Sequence, residues 1–206
     1  VAAVAAARGE RPEGVAYDWL LEGEGRHFLY TPVRNYVDAS PAVLREMLQS
    51  ELTVIGLADG GAHCAVLSDA SMPTFVLTQW REQPGADGFA LEWLVHQLTQ
   101  RTAETWGLAD RGVIAPGKRA DLNLIDPERL ALRMPAWERD LPAGGGRLVQ
   151  SAEGYVMTLV AGTPIVRDGQ PTGELPGRLL CDSRALEDAD IGCSSRATRV
   201  STSWTR

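Results

Sequence analysis

The sequence predicts an α/β protein in which a helix-rich first part is followed by a small antiparallel β unit. Up to about residue 112, helical patterns alternate with an apolar run, which is the order expected of a parallel α/β fold. Beyond residue 113, short segments alternate apolar and polar side chains with a period of two, as half-buried strands do. An Asp-Gly pair between short apolar runs, Asp168-Gly169, indicates a hairpin.

The first part contains the predicted helices. In "DASPAVLREMLQSE", Ser40 is predicted to cap a helix and Pro41 to be its first residue. Further helices are predicted in "SMPTFVLTQWRE" and "FALEWLVHQLTQRTAETWG". The apolar residues expected to face inward are Val43, Leu44, Met47 and Leu48 on the first of these helices, and Leu91, Leu94, Val95 and Leu98 on the last. Strands are predicted in "RHFLYTP" and in "LTVIGLA", the latter covered on both faces.

The later segments predict the β unit and a tail. In "RADLNLID", Leu122 and Leu124 are expected to face inward. "GYVMTLVAGTPIVRDGQPTGE" predicts a strand, a turn at Gly162-Thr163, a second strand and the Asp168-Gly169 turn. The polar composition of residues 181–206 predicts a disordered tail that does not pack. The chain is thus divided at residues 1–112, 113–180 and 181–206.

Composition excludes several classes of protein. A net charge of -7 and a pI of about 5.0 argue against non-specific nucleic-acid binding. No apolar run reaches the roughly 18 residues of a membrane span. Three cysteines without a CxxC spacing indicate a reducing compartment, and we expect the cytoplasm. The sequence has one lysine, Lys118, and three histidines, so potential metal ligands are few.

The stretch "GLADGGAH" contains the main candidates for chemistry. Asp59 ends the predicted buried strand, where parallel α/β folds bind their ligands. Gly60 and Gly61 would let the backbone approach a ligand or adopt positive φ, and His63 could contact a substrate or lie near a metal. In the alternative interpretation, Asp59 caps the following turn and His63 forms a local hydrogen bond.

Other residues are secondary candidates. Arg34 and Asn35 follow a predicted strand and could contact a substrate. Cys64 is interpreted as a small buried residue rather than a nucleophile, because no base is paired with it. His27 and His96 are predicted at the surface. The aromatic residues expected to pack between helices are Trp80, Trp93 and Trp106.

Four blocks of sequence carry a family resemblance. They are "GLADGGAH", "LTQRTAETWGLADRGVIAPGKRADLNLIDPE", "DLPAGGGRLVQSAEGY" and "VAGTPIVRDGQPTGELPGRLL", in that order. Over residues 1–180 the chain resembles the C-terminal part of the D-aminoacylase / N-acyl-D-amino-acid deacylase family of the amidohydrolase superfamily. The resemblance implies that residues 1–112 are the last α/β units of a metal-dependent hydrolase (β/α)8 barrel, with residues 53–58 as its eighth strand. Residues 113–180 would be a segment of its β-sandwich.

The resemblance also implies an activity and a cofactor. The enzyme would hydrolyse the amide C–N bond of small N-acyl-D-amino acids, with zinc or another divalent metal bound. By motif, Asp59 is the metal-contacting, proton-shuttling aspartate, while Gly60, Gly61 and His63 contact the substrate. The sequence departs from the family pattern, because the common serine before this aspartate is Ala58.

The rest of the family's metal ligands are not found in the sequence. It contains no His-x-His pair, and Lys118 lies in the β-sandwich segment. We therefore expect a C-terminal portion that is inactive alone, completed by an N-terminal portion or a second copy. The alternative is a truncated, non-catalytic oligomerisation or interaction module.

Overall fold

The computed structural model describes residues 1–30, 40–56, 58, 60–61, 63–82 and 87–179. Arg34, Asn35 and the predicted tail 181–206 lie outside these residues. None of the described helices combines the length and apolar character needed to cross a membrane.

Six helices occupy the first half of the described chain. They are α1 Ala2–Arg8, α2 Pro12–Gly25, α3 Ala42–Gln49, α4 Met72–Gln79, α5 Leu91–Leu98 and α6 Gln100–Thr105. The Ala42 N–H donates to the Ser40 Oγ at 3.2 Å, but the N-cap of α3 is Pro41, so the predicted cap lies one residue too early. Pro41 stands one residue before the helix. The long helix predicted after Phe89 is broken at Thr99, which has φ -121° and ψ -85°.

The prediction of a strand over residues 53–58 is wrong, because residues 53–56 do not form a strand. A strand requires a hydrogen-bonded neighbour, and none of the described strands pairs with this segment. Instead, the Arg101 guanidinium donates to the carbonyls of Glu51 at 2.5 Å and Thr53 at 2.9 Å. The described part of "RHFLYTP", residues 26–30, is not a strand either.

Eight antiparallel strands follow in the described residues. They are β1 Leu122–Ile125, β2 Ala131–Leu132, β3 Ala136–Glu138, β4 Arg147–Val149, β5 Ala152–Glu153, β6 Tyr155–Val160, β7 Thr163–Arg167 and β8 Gln170–Pro171. Four form one sheet in the order β1-β6-β7-β8, while β2-β5 and β3-β4 are two-stranded ribbons. The predicted antiparallel β unit is confirmed.

The two hairpin turns of the larger sheet have the backbone of type I′ turns. Ala161 and Gly162 have φ of 49° and 80°, and Asp168 and Gly169 have φ of 47° and 76°. The Asp168-Gly169 turn is confirmed, whereas the first turn lies one residue earlier than the predicted Gly162-Thr163 pair.

One of the residues predicted to face inward in β1 does not. Leu124, expected inside, is 55% exposed, and Ile125 packs against the core instead. The register between β1 and β6 shifts between Leu124 and Ile125, with the extra residue on β6.

The main core cluster joins the helices to the β unit. Val76, Leu77 and Leu94 are buried at its centre. The partly buried side chains around them are Ile55, Met72, Trp80, Phe89, Leu91, Trp93, Leu98, Ile125 and Leu130. Trp80 and Trp93 thus pack as predicted, whereas Trp106 is 74% exposed. Val95, also expected inside, is 41% exposed.

Candidate functional site

Asp59, the first candidate of the "GLADGGAH" stretch, lies outside the described residues, as do Leu57 and Ala62. Its predicted catalytic and metal-binding roles therefore stay predictions. The neighbouring candidates Gly60, Gly61 and His63 are described, and they define the position of the stretch.

The chain from residue 60 to residue 70, called here the candidate loop, returns to its own starting point. A Cβ on Gly60 would lie 2.8 Å from the Cβ of Ala70 and 3.0 Å from its backbone nitrogen. Ala70 belongs to a short 3₁₀ turn, Asp69–Ser71, directly before α4. A loop of this length with touching ends is an Ω-loop, a type of loop that frequently has functional roles.

Within the candidate loop the backbone turns sharply at Gly61 and His63. Gly61 has φ 104°, which confirms the expected positive φ. His63 has φ 49°, a left-handed conformation uncommon outside glycine. Its carbonyl accepts the N–H groups of Val66 at 2.7 Å and Leu67 at 3.0 Å. The histidine residue itself is exposed.

Backbone and side-chain hydrogen bonds attach the candidate loop and α4 to the β unit. The Cys64 carbonyl, next to His63, accepts the N–H of Leu148 in β4 at 2.8 Å. The Ser71 hydroxyl donates to the side-chain oxygen of Gln150. In α4, the hydroxyl of buried Thr74 lies 2.8 Å from the Tyr155 hydroxyl.

The partners of the candidate loop and of the residues after it do not follow from the sequence pattern. Leu148, which bonds the loop, and Gln150 and Tyr155, which bond Ser71 and Thr74, all come from the block "DLPAGGGRLVQSAEGY". Cys64 is half-buried, with a free thiol. The block itself is the signal that the sequence offers, since its polar side chains bond Ser71 and Thr74, directly after the loop.

An ion pair lies beside this attachment. Arg147, adjacent to Leu148, donates from Nε to Asp140 Oδ1 at 2.8 Å and from a second nitrogen to Oδ2. The Arg147 guanidinium lowers the pKa of the Asp140 carboxyl, and Asp140 in turn raises the pKa of Arg147. Both side chains are partly exposed, so water screens the pair.

The described residues do not fit a metal centre. Among them, no group of three or more His, Cys, Asp or Glu side chains comes together in a way that could hold a metal ion. His27 and His96 are exposed, as predicted. His27 Nδ1 lies 3.4 Å from Glu22, and His96 lies 3.5 Å from the Gln97 amide nitrogen. The metal ligands implied by the resemblance are therefore not assembled in the described part of the chain.

Comparison with known protein families identifies the class. The amidohydrolase family profile matches residues 2–166. The match covers most of the helices and most of the β unit described above. The chain belongs to the amidohydrolase family.

Individual relatives match shorter parts of the chain. An adenine deaminase of Methylobacterium nodulans is 36% identical over 106 residues, which are 45% of this chain and 19% of that protein. A dihydroorotase of Lactobacillus acidophilus is 29% identical over 124 residues, which are 55% of this chain and 29% of that protein. Among solved structures, a D-aminoacylase matches with 30% identity and a TM-score of 0.36, covering 50% of this chain and 19% of that one. The chain thus spans less than a third of the length of each relative.

Proposed function

We propose that the chain is the C-terminal part of a metal-dependent amidohydrolase that cleaves the amide C–N bond of N-acyl-D-amino acids or similar small molecules. The family match over residues 2–166 supports the reaction class. The four sequence blocks quoted above support the choice of N-acyl-D-amino acids over other amidohydrolase substrates. In this proposal residues 1–112 complete a (β/α)8 barrel and residues 113–180 belong to its β-sandwich.

The observation that carries the proposal is the closed candidate loop. Its base is fixed by the approach of Gly60 to Ala70, and its middle is attached to β4 through Cys64. Asp59 directly precedes this fixed base, and His63 is exposed within the loop. Attachment at these two points would hold a group on the loop in a defined position, as a catalytic group requires.

Each candidate residue has a proposed role. Asp59 would accept a proton during hydrolysis and return it to the leaving nitrogen, as a general acid–base. His63 would bind the substrate, with the backbone at Gly60 and Gly61 beside it. Zinc or another divalent metal is the proposed cofactor. Since the described residues do not supply its ligands, the remaining ligands would come from another portion of the enzyme, and we expect the chain alone to be inactive.

Replacement of the carboxylate tests this proposal. In the complete enzyme that contains this chain, Asp59→Asn should lower the turnover of N-acetyl-D-amino acids about 10²- to 10⁴-fold, the usual contribution of a general acid–base. The midpoint of thermal unfolding should stay the same. Gly56→Ala, an exposed neighbour with open space around it, is the matched control. Near-normal turnover in Asp59→Asn would contradict the assignment.

The substrate class and the incomplete metal site are tested separately. The enzyme should hydrolyse N-acetyl-D-amino acids faster than dihydroorotate, and should not deaminate adenine. Elemental analysis of the purified 206-residue chain should find no stoichiometric zinc. Tight binding of one zinc ion by the chain alone would contradict the incomplete site.

A non-catalytic oligomerisation module is the second candidate, and an exposed apolar face of α3 favours it. Val43 and Met47 are each 49% exposed. With Glu46, Ser50 and Thr53 they line an open groove of about 300 Å³. A second copy covering this groove should give a dimer in analytical ultracentrifugation that Met47→Glu dissociates. A monomer at every concentration would exclude it.

A further inference from the structure

We infer that Gln150 is a positioning residue for the candidate loop. Its hydrogen bonds hold the loop, and His63 within it, in a fixed position against the β unit. The expected effect of Gln150 on catalysis rests on the proposed function. The structural coupling can be measured independently of activity.

The Gln150 side chain bridges two parts of the molecule. Its oxygen accepts from the Ser71 hydroxyl, and its nitrogen donates to the Arg133 carbonyl at 2.9 Å. A carbonyl can only accept, so the amide nitrogen must face Arg133 and the oxygen must face Ser71. Both bonding directions of the amide are therefore used. Gln150 is itself half-buried between the two.

The bond to Ser71 fixes the base of the candidate loop. Ser71 directly follows Ala70, the residue against which Gly60 packs. Two residues before Gln150, the Leu148 N–H donates to the Cys64 carbonyl. The segment from Leu148 to Gln150 thus bonds the loop at Cys64, next to His63, and bonds Ser71, the residue that follows the loop.

Gln150 is expected to affect the candidate loop rather than the stability of the whole fold. Gln150 is not part of the core cluster around Val76, Leu77 and Leu94. The candidate loop is mostly exposed, and its internal turn depends on the two bonds to the His63 carbonyl. Few buried contacts and exposed backbone bonds are the features of a segment that opens locally. Removal of Gln150 should therefore free the loop without unfolding the core.

Amide hydrogen exchange of the full 206-residue chain tests the coupling. Gln150→Leu has a similar volume and removes both bonds. The amides of Val66, Leu67 and Leu148 should then exchange about fivefold faster, the factor that one net hydrogen bond is worth. The control is Thr158→Val, which removes a 2.8 Å bond to Asn123 in the same β unit and should leave these amides unchanged. Unchanged exchange in Gln150→Leu would overturn the inference.

Variants of Ser71 test whether the effect of Gln150→Leu comes from the loss of its hydrogen bond to Ser71. Ser71→Ala should speed exchange as Gln150→Leu does, whereas Ser71→Thr keeps a hydroxyl and should retain protection. Both changes remove the Ser71–Gln150 bond, and Ser71→Ala further removes only a long contact of 3.4 Å from the hydroxyl to the Ser68 carbonyl, so the double variant should exchange nearly as fast as Gln150→Leu. Additive effects of the two changes would overturn the bridge.

Kinetics of the complete enzyme tests the link to catalysis. Gln150→Leu should lower kcat/KM for the N-acyl-D-amino acid about fivefold with an unchanged midpoint of unfolding, and Ser71→Thr should behave as the parent. Faster loop exchange with parental kcat/KM would overturn the positioning role. A parent enzyme without amide hydrolysis would instead contradict the proposed function, and the exchange experiment would still decide the coupling.

Discussion

The backbone of Gly60 lies directly against Ala70, ten positions later in the chain. A Cβ on Gly60 would lie 2.8 Å from the Cβ of Ala70 and 2.9 Å from its Cα. Carbon atoms in optimal contact are about 3.5–4.0 Å apart, so a side chain larger than hydrogen does not fit. Glycine is needed at this position because two backbone segments approach closely there.

Substitution of Gly60 should therefore damage the candidate loop. Gly60→Ala should lower the free energy of unfolding by about 1–3 kcal/mol, since the neighbouring atoms are the Cβ and backbone of Ala70, which cannot rotate away. Thermal or urea unfolding measures the loss. Gly56→Ala provides the control, because a Cβ there would meet no atom within 4 Å. Equal stability of the Gly60→Ala variant and the parent would show that the loop base is not closed as described.

The exposed imidazole of His63 should affect substrate binding more than turnover. His63→Asn is the informative change, because asparagine tolerates the left-handed φ of 49° better than other residues do. On the proposed function, KM should rise about tenfold while kcat changes little, as expected when a hydrogen bond to a charged group is lost. Steady-state kinetics of the complete enzyme measures the two constants. An unchanged KM would leave His63 without a role in binding.

Features that depend on neighbouring residues in sequence were predicted well. The Asp168-Gly169 turn follows from two residues that tolerate positive φ, and the Ser40-Pro41 pair places the start of α3 to within one residue. The surface positions of His27 and His96 were likewise predicted from their local patterns.

Features that depend on distant partners could not be predicted from the sequence. Residues 53–56 are apolar enough for a buried strand, but a strand also needs a paired neighbour. Leu124 is 55% exposed while Ile125 packs against the core, although the alternation in β1 favours Leu124 on the inner face. The close approach of Gly60 to Ala70 likewise depends on a partner ten positions away. The bridging role of Gln150 depends on Ser71, 79 positions away.

Asp121 joins the segment before β1 to the β6–β7 hairpin. Its carboxylate accepts the Ala161 N–H at 2.8 Å and the Arg119 Nε at 2.9 Å, with Arg111 at 3.5 Å. Asp121→Ala should therefore cost about 0.5–1.5 kcal/mol of unfolding free energy, because the exposed Ala161 N–H exchanges this bond for one to water. Asp121→Asn should cost less, since an amide oxygen can still accept that bond. Urea unfolding at pH 7 measures both, and equal losses would contradict the role of the charge.

The stabilisation of the folded state by the Asp121 charge should be lost at acid pH. Burial alone would raise the pKa of Asp121, but the Ala161 N–H, Arg119 and Arg111 outweigh it and hold the pKa below the ordinary value of 3.8. A depressed folded-state pKa stabilises the protein above the ordinary value, and this stabilisation is lost as the pH falls through the folded-state pKa. The difference between the parent and Asp121→Asn should thus stay constant from neutral pH down to about 4 and shrink below it. Asp18→Asn, on the exposed side of α2, is the control.

The turn at Ala161 holds an alanine where the backbone favours asparagine or glycine. Ala161 has φ 49° and precedes Gly162, so the pair forms a type I′ hairpin turn, for which Asn-Gly is preferred. The left-handed conformation costs an L-residue other than Gly, Asn or Asp about 1–2 kcal/mol. Ala161→Asn should raise the free energy of unfolding by about 0.5–1 kcal/mol, and the bond from its N–H to Asp121 is retained. Ala161→Val should lower stability, because a β-branched residue tolerates this conformation worst. If Ala161→Asn were less stable than the parent, the turn would not be strained at this residue.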